Sequence, residues 1–273
     1  MASFPMVPLS SNNNRVKTMR KLARRAFRTE QREFLADGPK AVEAALGVDG
    51  CVIEVFATTE ATGHHHGLQA AAASAGIGWR LVEDRAMATL SDAVNPQGVV
   101  ARCRFIDRPA GHVLAGDPHL VAICADVRDP GNAGTVIRTA DAAGADAVLL
   151  AGNSVDAYNP KTVRATVGSL FHLPLALEPD PARAVHQARE AGLVVLAADG
   201  SGELDLDAAE DQGLLARPTA WLFGNEAWGL PEELAALADH RVRIPIHGKA
   251  ESLNLATAAA VCLYASARAR RRA

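Results

Sequence analysis

Residues 119–151 read HLVAICADVRDPGNAGTVIRTADAAGADAVLLA, and this stretch decides the fold. Its apolar runs at 119–125 and 147–151 flank a helical segment at 131–143. Short apolar runs that alternate with helices are typical of parallel strands covered on both faces. The pattern continues with apolar runs at 193–198, 220–223 and 242–244 and with helices at 181–191, 231–238 and 252–270. We therefore predict an α/β domain over 119–273, with a parallel sheet and helices on both faces.

The chain before this domain has a different organisation. Helices are predicted at 16–24, 39–46 and 67–75, and strands at 51–56, 79–82 and 98–105, which together make a small α/β domain over 15–106. Residues 107–118 carry two prolines and two glycines, the composition of a linker. The serines and three asparagines near the start predict a disordered tail over 1–14.

The composition is that of an ordinary globular protein, with 49% hydrophobic and 22% charged residues. Four cysteines lie far apart with no CxxC pair, so we expect buried thiols in a reducing cytoplasm. The first residues lack the order of a signal peptide, and no run of about 20 apolar residues is present. The tract His64-His65-His66 has no companion ligands, so we expect a solvated loop there and no metal site.

Positive charge is concentrated near the start of a chain whose net charge is −3. Such a run is either a solvated helix face or a surface that binds phosphates. Since the chain has only three tryptophans, two tyrosines and seven phenylalanines, stacking on unstructured single strands is disfavoured, and a folded RNA held by its backbone fits better. The basic residues are Arg15, Lys17, Arg20, Lys21, Arg24, Arg25, Arg28 and Arg32.

Three strand-to-loop junctions of the C-terminal domain are unusually polar. They are residues 129–132 before a helix that carries Arg138, residues 222–231 (LFGNEAWGLP) and residues 244–254 (IPIHGKAESLN). All three fall at the carboxyl edge of the predicted sheet, where open α/β folds bind ligands. The first turn lacks the GxGxxG spacing, which disfavours an ordinary dinucleotide site.

These segments, in this order and spacing, resemble the three motifs of the SpoU/TrmH family of the SPOUT superfamily of RNA ribose methyltransferases. The N-terminal half is similar in pattern to the small RNA-binding domain that precedes the catalytic domain in many members. The resemblance implies a deep trefoil knot, S-adenosylmethionine bound in the knotted loops, and 2′-O-methylation of a ribose in structured RNA, with ribosomal RNA favoured. A catalytically silent RNA-binding or ribosome-assembly factor, a methyltransferase of base nitrogens and a transfer RNA enzyme remain as alternatives.

The resemblance also assigns residues. It places the cofactor against Leu196, Ala197, Ala198, Gly224, Asn225, Glu226, Ile244, Pro245, Ile246, Ser252 and Leu253. It places the chemistry on Arg138, Asn132, Glu226, Ser252 and Asn254, and RNA contact on Arg164 in addition to the basic residues near the start.

The physical roles of these residues leave choices open. Arg138 is either a general base or, as the high pKa of a guanidinium favours, a cation that grips a phosphate and stabilises the developing alkoxide. Glu226 is expected to orient Arg138 or the cofactor. Asn132 and Ser252 both stand where a helix N-cap would stand, so capping is the alternative to a functional role for each. For Arg164 the alternative is an ordinary exposed arginine.

The last helix predicts a homodimer. Leu255, Val261, Cys262, Leu263 and Tyr264 are spread around it, and a helix that is apolar on nearly all sides needs cover on nearly all sides. Because a sheet covers one face only, a second copy is expected on the other, as relatives dimerise through such helices.

Since the densest basic segment lies before 109, a chain without residues 1–108 is expected to fold but to lose RNA affinity.

Overall fold

The computed structural model describes residues 7–273, which fall into two compact units. The first unit takes the chain through Ile106 together with Tyr158–Phe171, and the second takes Asp107–Ala157 and His172–Ala273. Among the described residues, no helix is long and apolar enough to cross a membrane.

The strands are β1 (Glu33–Asp37), β2 (Val52–Ala57), β3 (Gly78–Leu81), β4 (Val99–Arg104), β5 (Leu120–Ala125), β6 (Ala147–Ala151), β7 (Leu175–Glu178), β8 (Val194–Ala198), β9 (Leu204–Asp205), β10 (Thr219–Phe223) and β11 (His240–Arg243). The α-helices are α1 (Asn14–Arg20), α2 (Arg25–Gln31), α3 (Pro39–Leu46), α4 (Thr59–His64), α5 (His66–Ser74), α6 (Asp84–Leu90), α7 (Ala110–Val113), α8 (Pro130–Ala143), α9 (Pro160–Thr166), α10 (Pro181–Glu190), α11 (Leu206–Asp211), α12 (Glu232–Ala235) and α13 (Leu255–Arg272). Short 3₁₀ turns occupy Lys21–Ala23, Ser169–Phe171 and Leu214–Ala216.

The first unit is built on a four-stranded sheet in the order β1-β4-β2-β3. Strand β4 is antiparallel to both β1 and β2, whereas β2 and β3 are parallel. Apolar side chains of α1 and α6, such as Val16, Met19 and Met87, pack on Leu35 and Phe56 of the sheet. Helices α3 and α5 also pack within this unit.

The predicted tail over 1–14 is wrong for its described part. Leu9 forms a bridge with Val82, and the Leu9 N–H donates to Leu81 O at 2.8 Å. Asn13 is the N-cap of α1, because its side chain accepts from Arg15 N at 2.9 Å. Backbone pairing and capping therefore order this segment from Leu9 onwards, while residues 1–6 lie outside the described residues.

The segment Tyr158–Phe171 packs with the first unit although it comes much later in the chain. The ring of Phe34 in β1 lies 4.7 Å from that of Tyr158 and 5.9 Å from that of Phe171. The Tyr158 hydroxyl accepts from Ile106 N at 2.9 Å. An aromatic cluster thus fixes this segment on β1.

The second unit contains the seven-stranded sheet, in the order β7-β6-β5-β10-β8-β11-β9, with every neighbouring pair parallel. One face is covered by α7 and α10, and the other by α8 and α13. Helix α13 is anchored by a buried hydrogen bond in which Trp221 Nε1 of β10 donates to Ser266 Oγ at 2.9 Å. The predicted α/β fold with a parallel sheet is confirmed.

Residues 107–118, expected to be a linker, contribute to this second unit. Ala110 and Val113 of α7 are buried in its core, and Arg108 N donates to Leu175 O at 2.9 Å. Two strands of the sheet, β7 and β9, were not predicted.

Candidate active site

The loop between β5 and α8 is held by hydrogen bonds to two other segments, the loops that follow β10 and β6. Asp126 adopts a left-handed conformation with φ of 56°, and its carbonyl accepts from Asn225 Nδ2 at 2.7 Å. Its carboxylate accepts from Asn153 N at 2.7 Å, and the next N–H, of Val127, donates to Ser154 Oγ at 3.1 Å. A strained non-glycine backbone in a sheet-edge loop, fixed from several sides, is a common property of functional loops.

Helix α8 begins directly after this loop. Asp129 is its N-cap, with Oδ1 accepting from Asn132 N at 2.8 Å, and Pro130 takes the first helical position. The cap alternative for Asn132 is therefore wrong, and its side chain is free for another role.

Glu226 ties the loop after β10 to this loop. Its Oε2 accepts from Arg128 N at 3.1 Å, while Oε1 accepts from Asp129 N at 3.1 Å and from Asn132 Nδ2 at 3.2 Å. Partial burial alone would raise the pKa of the Glu226 carboxyl, but hydrogen bonds from backbone N–H groups and from Asn132 outweigh it and lower the pKa. Glu226 is therefore an ionised acceptor with three donors.

Asn254 extends this network to the last helix. Its Oδ1 accepts from Ala256 N at 2.9 Å as the N-cap of α13, so its amide nitrogen is left to donate to Asn132 Oδ1 at 3.1 Å. Because Asn132 accepts there, its own amide nitrogen donates to Glu226, and the direction of every bond is fixed. One chain of hydrogen bonds thus joins all three predicted motifs.

Ser252 lies outside this network. It is exposed in the loop before α13, and the N-cap of that helix is Asn254, so the cap alternative for Ser252 is wrong.

Arg138 lies on α8, exposed to solvent. Six residues separate it from Asn132, which turns it by roughly 240° around the helix axis. It is not among the hydrogen-bond partners of Glu226, so the expectation that Glu226 orients Arg138 has no support in the contacts of the described residues. Its guanidinium has no hydrogen bond or ion pair within residues 7–273.

The loops expected to hold the cofactor leave the sheet at one edge, whereas Leu196 and Ala197 lie within β8 and are fully buried. Strands β10, β8 and β11 are neighbours, so the loops that follow Phe223, Ala198 and Arg243 leave the sheet side by side. Gly224 passes so close to Gly229 that a Cβ on Gly224 would collide with the Gly229 backbone. On the loop between β11 and α13, Ile246 and Leu253 are partly exposed apolar side chains that a bound ligand would cover.

The basic residues of the first unit divide into two groups. Arg28 is only 2% exposed, and its guanidinium donates to Leu22 O and Ala23 O at 2.8 Å, so it is a structural residue that RNA does not reach. Arg15 forms an ion pair with Glu54 at 3.1 Å, and Arg164 one with Asp92 at 3.3 Å. Of the basic residues predicted near the start of the chain, Lys17, Arg20, Lys21, Arg24 and Arg25 are exposed and have no ion pair within residues 7–273, while the exposed Arg32 lies over the ring of Phe105 at 4.7 Å.

The remaining expectations concern histidines and cysteines. His64-His65-His66 do not form a loop, because α4 ends at His64 and α5 begins at His66. Within the described part of the chain, no group of three histidine, cysteine or acidic residues is placed to hold a metal.

All four cysteines are buried free thiols, as predicted. Burial, and then the charge of Glu226, raise the pKa of the Cys124 thiol to about 12.

Two contributors to the site were missed by sequence reasoning. The links to Glu226 and Asn225 use the Arg128 N–H and the Asp126 carbonyl, which are backbone groups. The pattern of side chains in the sequence does not reveal these two links.

Two family models match the chain. Residues 119–264 match the model of the SpoU rRNA Methylase family, and residues 13–101 match that of the MRM3-like substrate binding domain. The chain is 34% identical over 258 residues to the 23S rRNA (guanosine(2553)-2′-O)-methyltransferase RlmP of Bacillus subtilis, covering 93% of this chain and 96% of the relative. It is 41% identical over 146 residues to the 23S rRNA (uridine(2479)-2′-O)-methyltransferase of Streptomyces viridochromogenes, covering about half of each.

Solved structures of rRNA and SpoU methyltransferases superpose on this chain. The AdoMet-bound rRNA methyltransferase of Sinorhizobium meliloti superposes with a TM-score of 0.84 at 34% identity, covering 96% of this chain and 97% of that one. The AdoMet complex of the SpoU methyltransferase AviRb of Streptomyces viridochromogenes superposes with a TM-score of 0.83 at 29% identity, covering 96% of this chain and all of that one. Together with the linked motifs, these matches show that the chain belongs to the SpoU rRNA methylase family.

Proposed function

We propose that this protein transfers a methyl group from S-adenosylmethionine to a ribose 2′-hydroxyl of ribosomal RNA. The observation that carries the proposal is the chain of hydrogen bonds from Asn254 through Asn132 to Glu226, which joins the three family motifs at one sheet edge. Full-length and structural relatives are named as 23S rRNA 2′-O-methyltransferases or as AdoMet-bound rRNA methyltransferases. A cytoplasmic location is part of this proposal, and a ribosomal RNA substrate is consistent with it.

The sheet edge fits S-adenosylmethionine. The cofactor would be held by the ends of β8, β10 and β11, at Leu196–Ala198, Gly224–Glu226 and Ile244–Ile246, and by Ser252 and Leu253 before α13. The partly exposed Ile246 and Leu253 support this placement, since a nucleoside needs apolar cover. We also propose that these loops form the trefoil knot of the family. When bound, the cofactor supplies an electrophilic methyl group on a sulfonium.

Arg138 is the catalytic residue in this proposal. A ribose hydroxyl is a poor nucleophile, so attack on the methyl group requires loss of its proton or stabilisation of the alkoxide. The exposed guanidinium of Arg138, without an ion pair within the described residues, is available to stabilise that charge and to hold the adjacent phosphate. Asn132 and Asn254 act as positioning residues, because each side chain is already hydrogen-bonded to another motif.

The first unit supplies RNA affinity in this proposal. Its exposed cations Lys17, Arg20, Lys21, Arg24 and Arg25 lie on α1, α2 and the turn between them. Lysine and arginine on one surface segment are suited to phosphates of a folded RNA.

A homodimer through α8 and α13 completes the proposal. Most of α13 is covered within its own chain, and Leu263 in particular is fully buried. The expectation that all apolar residues of this helix need cover from a second copy is therefore wrong. An exposed stripe remains on α13 at Thr257, Val261, Tyr264 and Arg268, with Val261 37% and Tyr264 51% exposed. Because α13 packs along α8, a second copy on this stripe would also approach the exposed face that carries Arg138.

The test is a map of ribose methylation in ribosomal and transfer RNA incubated with the protein and S-adenosylmethionine. We expect one site in ribosomal RNA to be methylated by the wild-type protein. Arg138→Ala should lower transfer on the order of 100-fold or more, because a contact to transition-state charge is lost, while calorimetry shows cofactor affinity unchanged. Wild-type turnover by this variant would contradict the role of Arg138, and unmethylated RNA with wild-type protein would contradict the function.

A further inference from the structure

Trp228 is an exposed tryptophan at the candidate active site. Its side chain is 61% exposed, whereas the other two tryptophans, Trp79 and Trp221, are buried. An isolated exposed indole costs solvation free energy and usually has a binding partner when it sits at a functional site. The residue lies two positions after Glu226, and two residues span at most about 7 Å of chain. The indole is therefore a neighbour of the motif network.

The loop that carries Trp228 is rigid. Asn225 and Gly229 exchange two backbone hydrogen bonds, both at 2.9 Å, and Gly229 turns the chain with φ of 70°. The Asn225 side chain accepts from Ala227 N at 2.8 Å and donates to Asp126 O at 2.7 Å. Only three residues lie between the paired ends, so the backbone under the indole is fixed before any ligand binds.

A cation lies beside this loop. The backbone N–H of Arg128 donates to Glu226 Oε2, while the Arg128 side chain is exposed and has no hydrogen bond or ion pair within residues 7–273. Glu226 forms no ion pair with this guanidinium, and its carboxylate accepts from two backbone N–H groups and from Asn132. An aromatic plane and a guanidinium without an ion pair, on two loops joined by hydrogen bonds, are complementary to a nucleotide, whose base stacks and whose phosphate carries the negative charge.

We propose that Trp228 stacks on a nucleobase of the RNA at or next to the methylated nucleotide, and that Arg128 holds a phosphate of the same segment. This inference rests on the proposed RNA methyltransferase function and adds two substrate-binding residues to it. Stacking here orients the target ribose toward the sheet edge, since Asn225 and Glu226 join the loop of Trp228 to the loop after β5. The paucity of aromatic residues in the chain does not argue against this role, because a single stacked base needs a single indole.

The test combines binding and turnover with 23S ribosomal RNA transcribed in vitro. Trp228→Ala should weaken RNA affinity and raise KM for RNA about 5- to 150-fold, the loss of one stacked base. Trp228→Phe should recover most of this loss and Trp228→Leu little, because leucine offers apolar area without an aromatic plane. RNA should quench the fluorescence of the wild-type protein, since Trp228 is the exposed indole of the described chain.

The role of Arg128 is tested by the salt dependence of RNA affinity. Arg128→Ala should lower the slope of log affinity against log salt by about 0.7 to 0.9, the value of one phosphate contact, and Arg128→Lys should keep it. Leu177→Ala, an exposed apolar residue on the edge strand β7, is the matched control and should change neither quantity.

The outcomes separate the inference from the function. If wild-type protein methylates the RNA and Trp228→Ala has equal RNA affinity and KM, the inference is wrong while the function stands. If Trp228→Ala instead weakens S-adenosylmethionine measured without RNA, the indole covers the cofactor and the inference is also wrong. Absence of methylation by wild-type protein would overturn the function, whereas RNA quenching of Trp228 would still report the binding site.

Discussion

Single side chains at this site act mainly by fixing other segments. Glu226 is an acid at a sheet edge, which first indicates proton chemistry, yet its two oxygens accept from Arg128 N, Asp129 N and Asn132 Nδ2. Those donors lower the pKa of its carboxyl, so at neutral pH it holds no proton to give and its lone pairs are engaged. Through these contacts Glu226 positions the loop between β5 and α8 and the start of α8.

This role predicts a pH-dependent contribution of Glu226 to stability. A carboxyl whose pKa is lower in the folded than in the unfolded state stabilises the fold above the unfolded-state value, and this contribution is lost as pH falls through the folded-state value. Glu226→Gln should therefore be less stable than wild type at pH 7, and the difference should shrink below about pH 4.5. Urea denaturation at a series of pH values measures it, with Glu83→Gln, an exposed carboxyl of the first unit, as control. A difference that stays constant with pH would contradict the role.

At the scale of elements, sequence patterns succeeded where a segment is long or buried on both faces. Helix α3 and strand β6 have the predicted bounds, because a proline opens the helix and five apolar residues fill the strand. Strands β1, β7 and β9 were missed. Strand β1 has acids at both ends, and β9 has only two residues. Strand β7 is a four-residue edge strand with a partly exposed leucine. Because these strands are buried by their neighbours in the fold, their sequences show little alternation of apolar and polar residues.

For the candidate site, the positions of the residues could be predicted from the sequence, but their side-chain contacts could not. The three motifs placed Asn132, Glu226 and Asn254 correctly at one edge, because carboxyl ends of parallel strands share it. The pairing of their side chains could not be predicted, since it depends on which atom caps a helix. Likewise, Arg28 was predicted on the basic surface, but it is buried under carbonyls of the preceding turn, which charge patterning does not reveal.

The segment α1–α2 predicts a measurable salt dependence. Replacing Lys17, Arg20, Arg24 and Arg25 together by glutamine should lower the slope of log RNA affinity against log salt by about 3, as each phosphate contact contributes about 0.7 to 0.9. Fold stability should change little, since all four side chains are exposed. Fluorescence or filter binding at several salt concentrations measures the slope. An unchanged slope would move the RNA-binding surface elsewhere, and Arg217→Gln, an exposed arginine of the second unit, is the control.

Helix α13 predicts a dimer interface that one charge disrupts. Val261→Glu and Tyr264→Glu place a carboxylate on the exposed stripe and should convert a dimer to monomers with weaker methyl transfer. Leu263 is unsuitable for this test, because it is fully buried and a charge there would disrupt the core of its own chain. Light scattering at micromolar concentration gives the mass, and Leu177→Glu on β7 should leave it unchanged. A monomer mass for wild-type protein would refute the dimer.

At the scale of the whole molecule, the two units are not consecutive in sequence. The chain leaves the first unit after Ile106, returns at Tyr158 and leaves again after Phe171. The returning segment contains α9, whose Thr162, Val163 and Thr166 are buried, and it is held by rings stacked around Phe34. The first unit is therefore completed by a piece of chain that belongs, by order, to the catalytic half.

This interlacing reverses the expectation that a chain without residues 1–108 folds on its own. Truncation to 109–273 removes Phe34, Phe105 and all of β1, which leaves Tyr158, Phe171 and the buried face of α9 exposed to water. We expect the truncated chain to aggregate or to unfold at lower denaturant than the full chain, because apolar area that was buried loses its cover. The matched variant is Phe34→Ala in the full chain, which should cost about 3–5 kcal/mol of stability in urea denaturation, since Phe34 is fully buried between these rings. A soluble truncated chain with cooperative unfolding and full S-adenosylmethionine affinity would show that Tyr158–Phe171 needs no partner and that RNA affinity alone depends on the first unit.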